Sequence, residues 1–424
     1  MQCTRFDASH MKALIALFGF LFLILPAASA ATGPKTLSLE DALRAAFANN
    51  PRVRSALEGI ESTAGRAEQR GTWPNPQISF SAEDVPSGNS LSQGKNLIRL
   101  SQTVPFPLKP WTEGRIGESE LGESRAAYDL FATALERDVK IAFYRALAAD
   151  QSLAIAREMA GGAEALAVAS LRRVEAGDAP LQEQLRAEIE LERVRSEVVR
   201  REQERALALE DLFTLMGGPP GEVSLAGDLS ADTTLVPSTA ENESDEPQHP
   251  LLAGAAARVD RMEAELRRAK LEPLPDFDLS FATGRDEADS HVLEVEAGIS
   301  IPLFNFSGGL KREKRADLEA ARAELTAAER DLAASRRNAE RTFRAVAEQA
   351  AAYRDRILPR AEQALALVRG GYDAGKFGFI DLLDTQRTLA EVKLACVEKL
   401  FELNSARAEW DALNSPSTER PSTE

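Results

Sequence analysis

The sequence predicts a mainly α fold with a membrane β portion, built from two copies of a helical-hairpin unit. Three observations predict it. The second half of the chain repeats the first at an offset of about 198 residues, and long heptad-patterned stretches dominate both halves. In each half, short two-faced strand segments precede those stretches, in a chain whose start reads as an export signal.

The export signal is the first element. Arg5 and Lys12 precede an apolar run from Ala13 to Leu25, and Ala28-Ser29-Ala30 follows as a small-residue cleavage site. Residues 1–30 therefore read as a secretory signal peptide, and the mature chain is expected to start near Ala31. The apolar run is shorter than the roughly 20 residues a membrane helix needs. No Cys stands at the cleavage site, so no lipid anchor is expected there, and Cys396 reads as a small buried apolar group in a helix. No later segment is long and apolar enough to cross a bilayer as a helix, so membrane insertion must use strands. The net charge of −16 argues against a nucleic-acid partner, because phosphate binding needs clustered Lys and Arg.

The repeat is visible residue by residue. Asn50-Pro51 matches His249-Pro250, and Pro74-Asn75-Pro76 before one strand matches Pro273-Leu274-Pro275 before another. Val104-Pro105 matches Ile301-Pro302, and Glu175-Ala176-Gly177 matches Asp373-Ala374-Gly375. Solenoid periods are roughly 20 to 50 residues, so this is a duplicated domain. The expected units are 31–225 and 249–414, joined by Ala226 to Gln248, a Ser/Thr/Asp/Glu-rich stretch that reads as an exposed linker; residues 415–424 read as a disordered tail.

Each unit opens with an amphipathic helix. The first is expected from about Leu39 to Arg70 with an interruption at Asn50-Pro51 and a capping box at Ser38 and Asp41; the second runs from Leu251 to Leu271. Strands follow. Ile78, Phe80 and Ala82 alternate with Ser79, Ser81 and Glu83, and Ile98, Leu100 and Val104 with Arg99, Ser101 and Thr103. Phe277, Leu279 and Phe281 alternate with Asp278 and Ser280, and Leu293, Val295, Ala297, Ile299 and Ile301 with Glu294, Glu296 and Ser300. Such segments approach the ~9–11 residues of a membrane strand. Four strands cannot close a barrel and an open edge cannot sit in lipid, so several chains must pool their strands. Pro105 and Pro302 are expected to mark the two places where strand gives way to helix.

Very long helices come next, from about Glu113 to Ala176 and from Leu310 to Gly370, broken at most at Gly161-Gly162. Each would reach roughly 90 Å. Leu318, Ala321, Leu325, Ala328 and Leu332 fall on a heptad and should bury against a partner helix. A Gly turn and a return helix close each hairpin.

The stretch Gly371-Tyr372-Asp373-Ala374-Gly375, continuing through Asp381, Asp384 and Gln386-Arg387, closely resembles the second hairpin turn of the TolC-like outer membrane efflux family. The first-half counterpart, Arg173 to Pro180, is similar but lacks the Tyr. Trp73-Pro74-Asn75-Pro76 and the junction Val104-Pro105-Phe106-Pro107-Leu108 look most like the branch serving cobalt-zinc-cadmium heavy-metal exporters. The resemblance implies a homotrimer in the outer membrane: a shared 12-stranded β-barrel, four strands per chain, continued by a trimeric α-helical tunnel across the periplasm. It implies an exit duct that does no chemistry and needs no cofactor. Its partners would be a periplasmic adaptor and an inner-membrane RND transporter that supplies the energy.

The residues match the family at its periplasmic tip. Asp381 and Asp384 correspond to its paired tip carboxylates and Tyr372 to its gate tyrosine, so these three form the expected periplasmic gate. The alternative for Asp381 is plain complementation of the helix dipole. The family's basic residue after the Tyr is Phe377 here, with Lys376 one place earlier, and Glu183 and Arg186 occupy the first-half positions equivalent to the two aspartates. Asp278, Glu294 and Glu296 lie on polar strand faces and are candidates to line a barrel lumen. His249 and His291 are the only histidines after the signal, so no metal-binding set is expected. Two other function classes fit the sequence less well: a periplasmic coiled-coil adaptor, which would carry one helical hairpin and a compact β domain, and an exported hydrolase, for which no Gly-x-Ser-x-Gly or Cys/His pairing exists. A duct of the same family for drugs or other organic substrates is the remaining alternative.

Overall fold

A computed structural model describes residues 35–83, 94–219, 221, 223–230, 249–286 and 288–415. The signal peptide, residues 231–248 of the linker and residues 416–424 of the tail lie outside the described residues.

A short strand β1 (Lys35–Leu37) leads into α1 (Leu39–Asn49) and α2 (Pro51–Arg70). The Ser38 hydroxyl accepts the Asp41 N–H at 3.1 Å while Asp41 reaches back to the Ser38 backbone, the expected capping box. The break between the helices has a local cause: Asn50 Oδ1 accepts the Arg52 N–H at 2.9 Å, and Pro51 starts α2 where its missing N–H costs nothing. Strands β2 (Gln77–Glu83) and β3 (Lys95–Val104) follow, then α3 (Leu108–Glu175), α4 (Leu181–Met216) and β4 (Val223–Leu225). The second unit supplies α5 (Pro250–Leu271), β5 (Phe277–Arg285), β6 (His291–Ile299), α6 (Gly308–Ala352), a π-helical turn (Tyr353–Ile357), α7 (Leu358–Asp373) and α8 (Phe379–Asn414).

Three differences from expectation stand out. α3 starts at Leu108 and not near Glu113, because Pro110 falls in its first turn, where backbone N–H groups have no helical partner. The helix runs unbroken through Gly161-Gly162, and the defect sits in the other unit, at the π turn ahead of Pro359. A helix interior tolerates Gly at about 1 kcal/mol, whereas Pro removes a hydrogen bond and crowds the preceding turn. The linker stretch is not wholly exposed either. Leu229 is fully buried in the main core, and its carbonyl accepts the buried Asn404 amide at 3.0 Å.

That core collects Phe143, Leu212, Phe343 and Leu403, from α3, α4, α6 and α8, around Leu229. β1 and β4 pair in parallel beside it, a contact too short to leave a sequence signal. Cys396 is buried there as expected. Leu318, Ala321 and Leu332 of the heptad stripe are buried, with Leu325 and Ala328 half-buried between them.

The four long strands form one antiparallel sheet in the order β2-β3-β5-β6. The β3–β5 ladder, Val104↔Phe277 to Asn96↔Arg285, joins the strand pairs of the two units. Pro105 follows β3 directly, and Pro302 lies three residues past β6, both outside regular structure. Across the sheet the register lines up Ile78, Leu100, Phe281 and Val295 in one row. Ile78 and Val295 are 78% and 77% exposed. An apolar face this bare needs a non-aqueous neighbour.

Candidate functional site

Both hairpin tips are built the same way. At Gly177 (φ 80°) the Asp178 N–H reaches back to the Arg173 carbonyl at 2.8 Å; at Gly375 (φ 69°) the Lys376 N–H reaches the Gly371 carbonyl at 2.8 Å. Each is a helix end closed by a left-handed glycine. A small apolar cluster of Leu166, Ala187, Phe379, Leu382 and Leu383 packs the two tips together.

Tyr372 is the polar centre of the tip. Its hydroxyl accepts from Arg173 Nη1 at 2.6 Å, and the same Nη1 pairs with Glu183 Oε1 at 2.8 Å. The guanidinium carbon also stands 5.6 Å from the centre of the Tyr372 ring. Burial pushes the phenol above its ordinary range, against the pull of Arg173. The basic partner that Phe377 cannot provide thus comes from the other hairpin, while the Phe377 ring packs onto Gly371. Glu183 is spent on this tie.

Asp381 and Asp384 are both exposed at the start of α8. The Asp381 carboxylate accepts the Gly378 N–H at 2.9 Å, so within one chain it caps its helix; Asp384 makes no such contact with the cap. One turn further along, Arg387 grips Glu190 of α4 through both carboxylate oxygens, Nε to Oε1 at 3.0 Å. Glu190 is only 5% exposed while Arg387 stays partly open to solvent, so the tie between hairpins is anchored at a buried acid. Lys393 then meets both oxygens of Glu158 at 2.9 Å. Gln386-Arg387 and Arg173 stand in the tip motifs of the sequence, but their partners Glu190 and Tyr372 do not follow from it, since only the fold brings residues about 200 apart together.

The second candidate region is the polar sheet face. Glu294 and Glu296 are there as expected, but paired: Lys95 Nζ lies 2.7 Å from Glu294, and Arg99 lies 3.1 Å from Glu294 and 3.2 Å from Glu296. Asp278 accepts the Thr103 hydroxyl at 2.7 Å. Arg99 was legible as a member of the polar face but not as a partner of these acids, and Lys95 enters only with the extent of β3. At the sheet's end Asp276 accepts Lys109 Nζ at 2.9 Å and the Phe106 N–H at 2.8 Å, fastening the strand-to-helix junction of one unit to the other. Burial opposes ionisation of Asp276, but these two donors hold its carboxyl below the usual range. Among the described residues no three or more His, Cys, Asp and Glu side chains are grouped so that they could hold a metal ion.

An exposed apolar sheet face backed by a charged one, set on two cross-tied helical hairpins, is a strand-and-tunnel design and not the single hairpin of an adaptor. The sequence pattern of outer membrane efflux proteins matches residues 42–218 and 246–410. The chain belongs to the outer membrane efflux protein family. It is an outer-membrane efflux duct, a passive channel and not an enzyme, with its helical tunnel in the periplasm. Members of this family form trimers and work with an adaptor and an inner-membrane transporter in tripartite pumps.

Among curated proteins the chain is similar to the cobalt-zinc-cadmium resistance protein CzcC of Cupriavidus metallidurans, 26% identical over 388 residues, 90% of each chain. Several solved structures share the fold. CusC, 15% identical, superposes with a TM-score of 0.74 over 88% of this chain and 91% of its own. The open-state MtrE outer membrane channel of Neisseria gonorrhoeae, 16% identical, does so with a TM-score of 0.72 over 91% of each.

Proposed function

We propose that three copies of the chain join edge to edge, β6 of one to β2 of the next, and close a barrel of twelve strands that carries heavy-metal cations out of the periplasm. Among the described residues β2 and β6 each lack a partner on their outer edge, and an unpaired edge is untenable in lipid. The apolar rows then face outer-membrane lipid, and Asp278, Glu294 and Glu296 line the lumen. The substrate class rests on one observation, the similarity to CzcC over nine tenths of both chains. At the far end Tyr372, Asp381 and Asp384 form the periplasmic gate. Tyr372 holds the two hairpins together through Arg173, and threefold symmetry gathers the aspartates around the axis, where a carboxylate ring favours cations. The proposed partners are a periplasmic adaptor and an RND transporter of the metal type.

Deleting the gene in its own host tests the substrate class. Tolerance of cobalt, zinc or cadmium should fall while tolerance of organic toxicants is unchanged; the reverse pattern would assign the duct to organic export.

A further inference from the structure

Three oxygens from two neighbouring strands converge on one guanidinium. Arg99 on β3 donates to Ser280 Oγ at 2.9 Å, Glu296 Oε2 at 3.2 Å and Glu294 Oε2 at 3.1 Å. The second Glu294 oxygen is taken by Lys95 at 2.7 Å, and Ser280 Oγ itself stands 3.4 Å from Glu296 Oε2. The register explains the reach. Arg99 lies opposite Ala282, which in turn lies opposite Glu294, and Ala282 is small and fully buried under the contact, leaving a clear path across the intervening strand.

Carboxylate-rich oxygen sets held by a rigid scaffold are what divalent cations select. A conduit has the opposite requirement: an ion must enter readily and leave readily. This face carries four carboxylates, Glu83, Asp278, Glu294 and Glu296, against two cations, Lys95 and Arg99, so it remains net acidic. We propose that Arg99 is a specificity-determining residue of the duct, the tethered resident cation of the Ser280–Glu294–Glu296 set. It keeps the wall attractive to cations while denying a divalent ion the oxygens that would trap it. Lys95 assists by occupying the remaining Glu294 oxygen. The inference rests on the reading that this face lines a water-filled lumen.

Single-channel current in a planar bilayer, with Cd(II) added on the barrel side, tests the proposal. Arg99→Gln should be blocked at about tenfold lower Cd(II) than wild type, because it opens the oxygen set. Arg99→Lys should stay close to wild type. The triple variant R99Q/E294Q/E296Q should lose the gained block, which a merely structural role of Arg99 would not produce. Lys95→Gln, with Arg99 intact, should show a weaker gain of about threefold and carries the test if R99Q does not assemble. Wild-type block in R99Q, or in K95Q should R99Q not assemble, would overturn the assignment. So would a triple variant as sensitive as R99Q. A wild-type chain that forms no channel would instead sink the duct reading itself.

Discussion

The two units of the duplicated chain share an element order and differ where the helices descend. In the first unit α3 is one rod of 68 residues; in the second the equivalent run is divided by the π turn Tyr353–Ile357 into α6 and α7. Glycine was the expected weak point and proline is the actual one, because packing repairs the entropy cost of Gly but not the lost hydrogen bond of Pro. The units are also unequal in what they bring to the tip. The second supplies the candidate gate residues, while the first supplies Arg173 and Glu183, which meet at Tyr372, and Glu190, which holds Arg387 one turn past Asp384. Each unit is incomplete without the other.

If the units depend on each other, cutting one cross-tie should cost more than a defect inside either unit. Asp276→Ala strands the Lys109 amine, whose side chain is 8% exposed, and should destabilise the chain by about 3 kcal/mol in urea unfolding from detergent. A loss under about 1 kcal/mol would show the junction tie to be dispensable. The next effect compares equivalent turns. Gly177→Ala and Gly375→Ala each force a side chain into a left-handed conformation and should each cost about 1–2 kcal/mol, the two alike if the tips are structurally equivalent.

Inside α3 the sign reverses. A Cβ at Gly161 or Gly162 meets nothing within 4 Å, so Ala at either position should stabilise by about 0.5–1 kcal/mol, read as a rise in the unfolding midpoint. A loss would mean that the glycine pair serves a bend absent from this structure. The smallest effect concerns pH. His249 caps α5 by accepting the Leu251 N–H on Nδ1 at 3.2 Å, and burial lowers its affinity for a proton below the ordinary value of 6.5. Its contribution is therefore complete above that value and is lost as the pH falls through it, since the unfolded chain binds the proton more readily. Between pH 8 and pH 5 the wild-type unfolding midpoint should drop further than that of His249→Asn, which keeps a capping acceptor without titrating.

Much of this was legible in advance. Periodicity located all four long strands, the capping box at Ser38 and the α1–α2 break, because each follows from local residue chemistry. The internal offset pointed to matching element orders in the two halves, and the tip motif singled out Tyr372, which the structure ties to Arg173. What stayed hidden was pairing at long range: Arg387 with Glu190, Arg99 with Glu294, and Leu229 drawn into the core from a polar linker. A charged residue in a helix or on a strand face looks the same in sequence whether solvent or a partner from the other unit meets it.

The proposed barrel closes three chains through β6 and β2. Cysteine pairs placed along those two edge strands, in a Cys396→Ser background, test it directly after oxidation of outer membranes. A ladder of covalent species that ends at three chains is expected on a denaturing gel. Monomer at every pair of positions, or a ladder that continues past three, would contradict it.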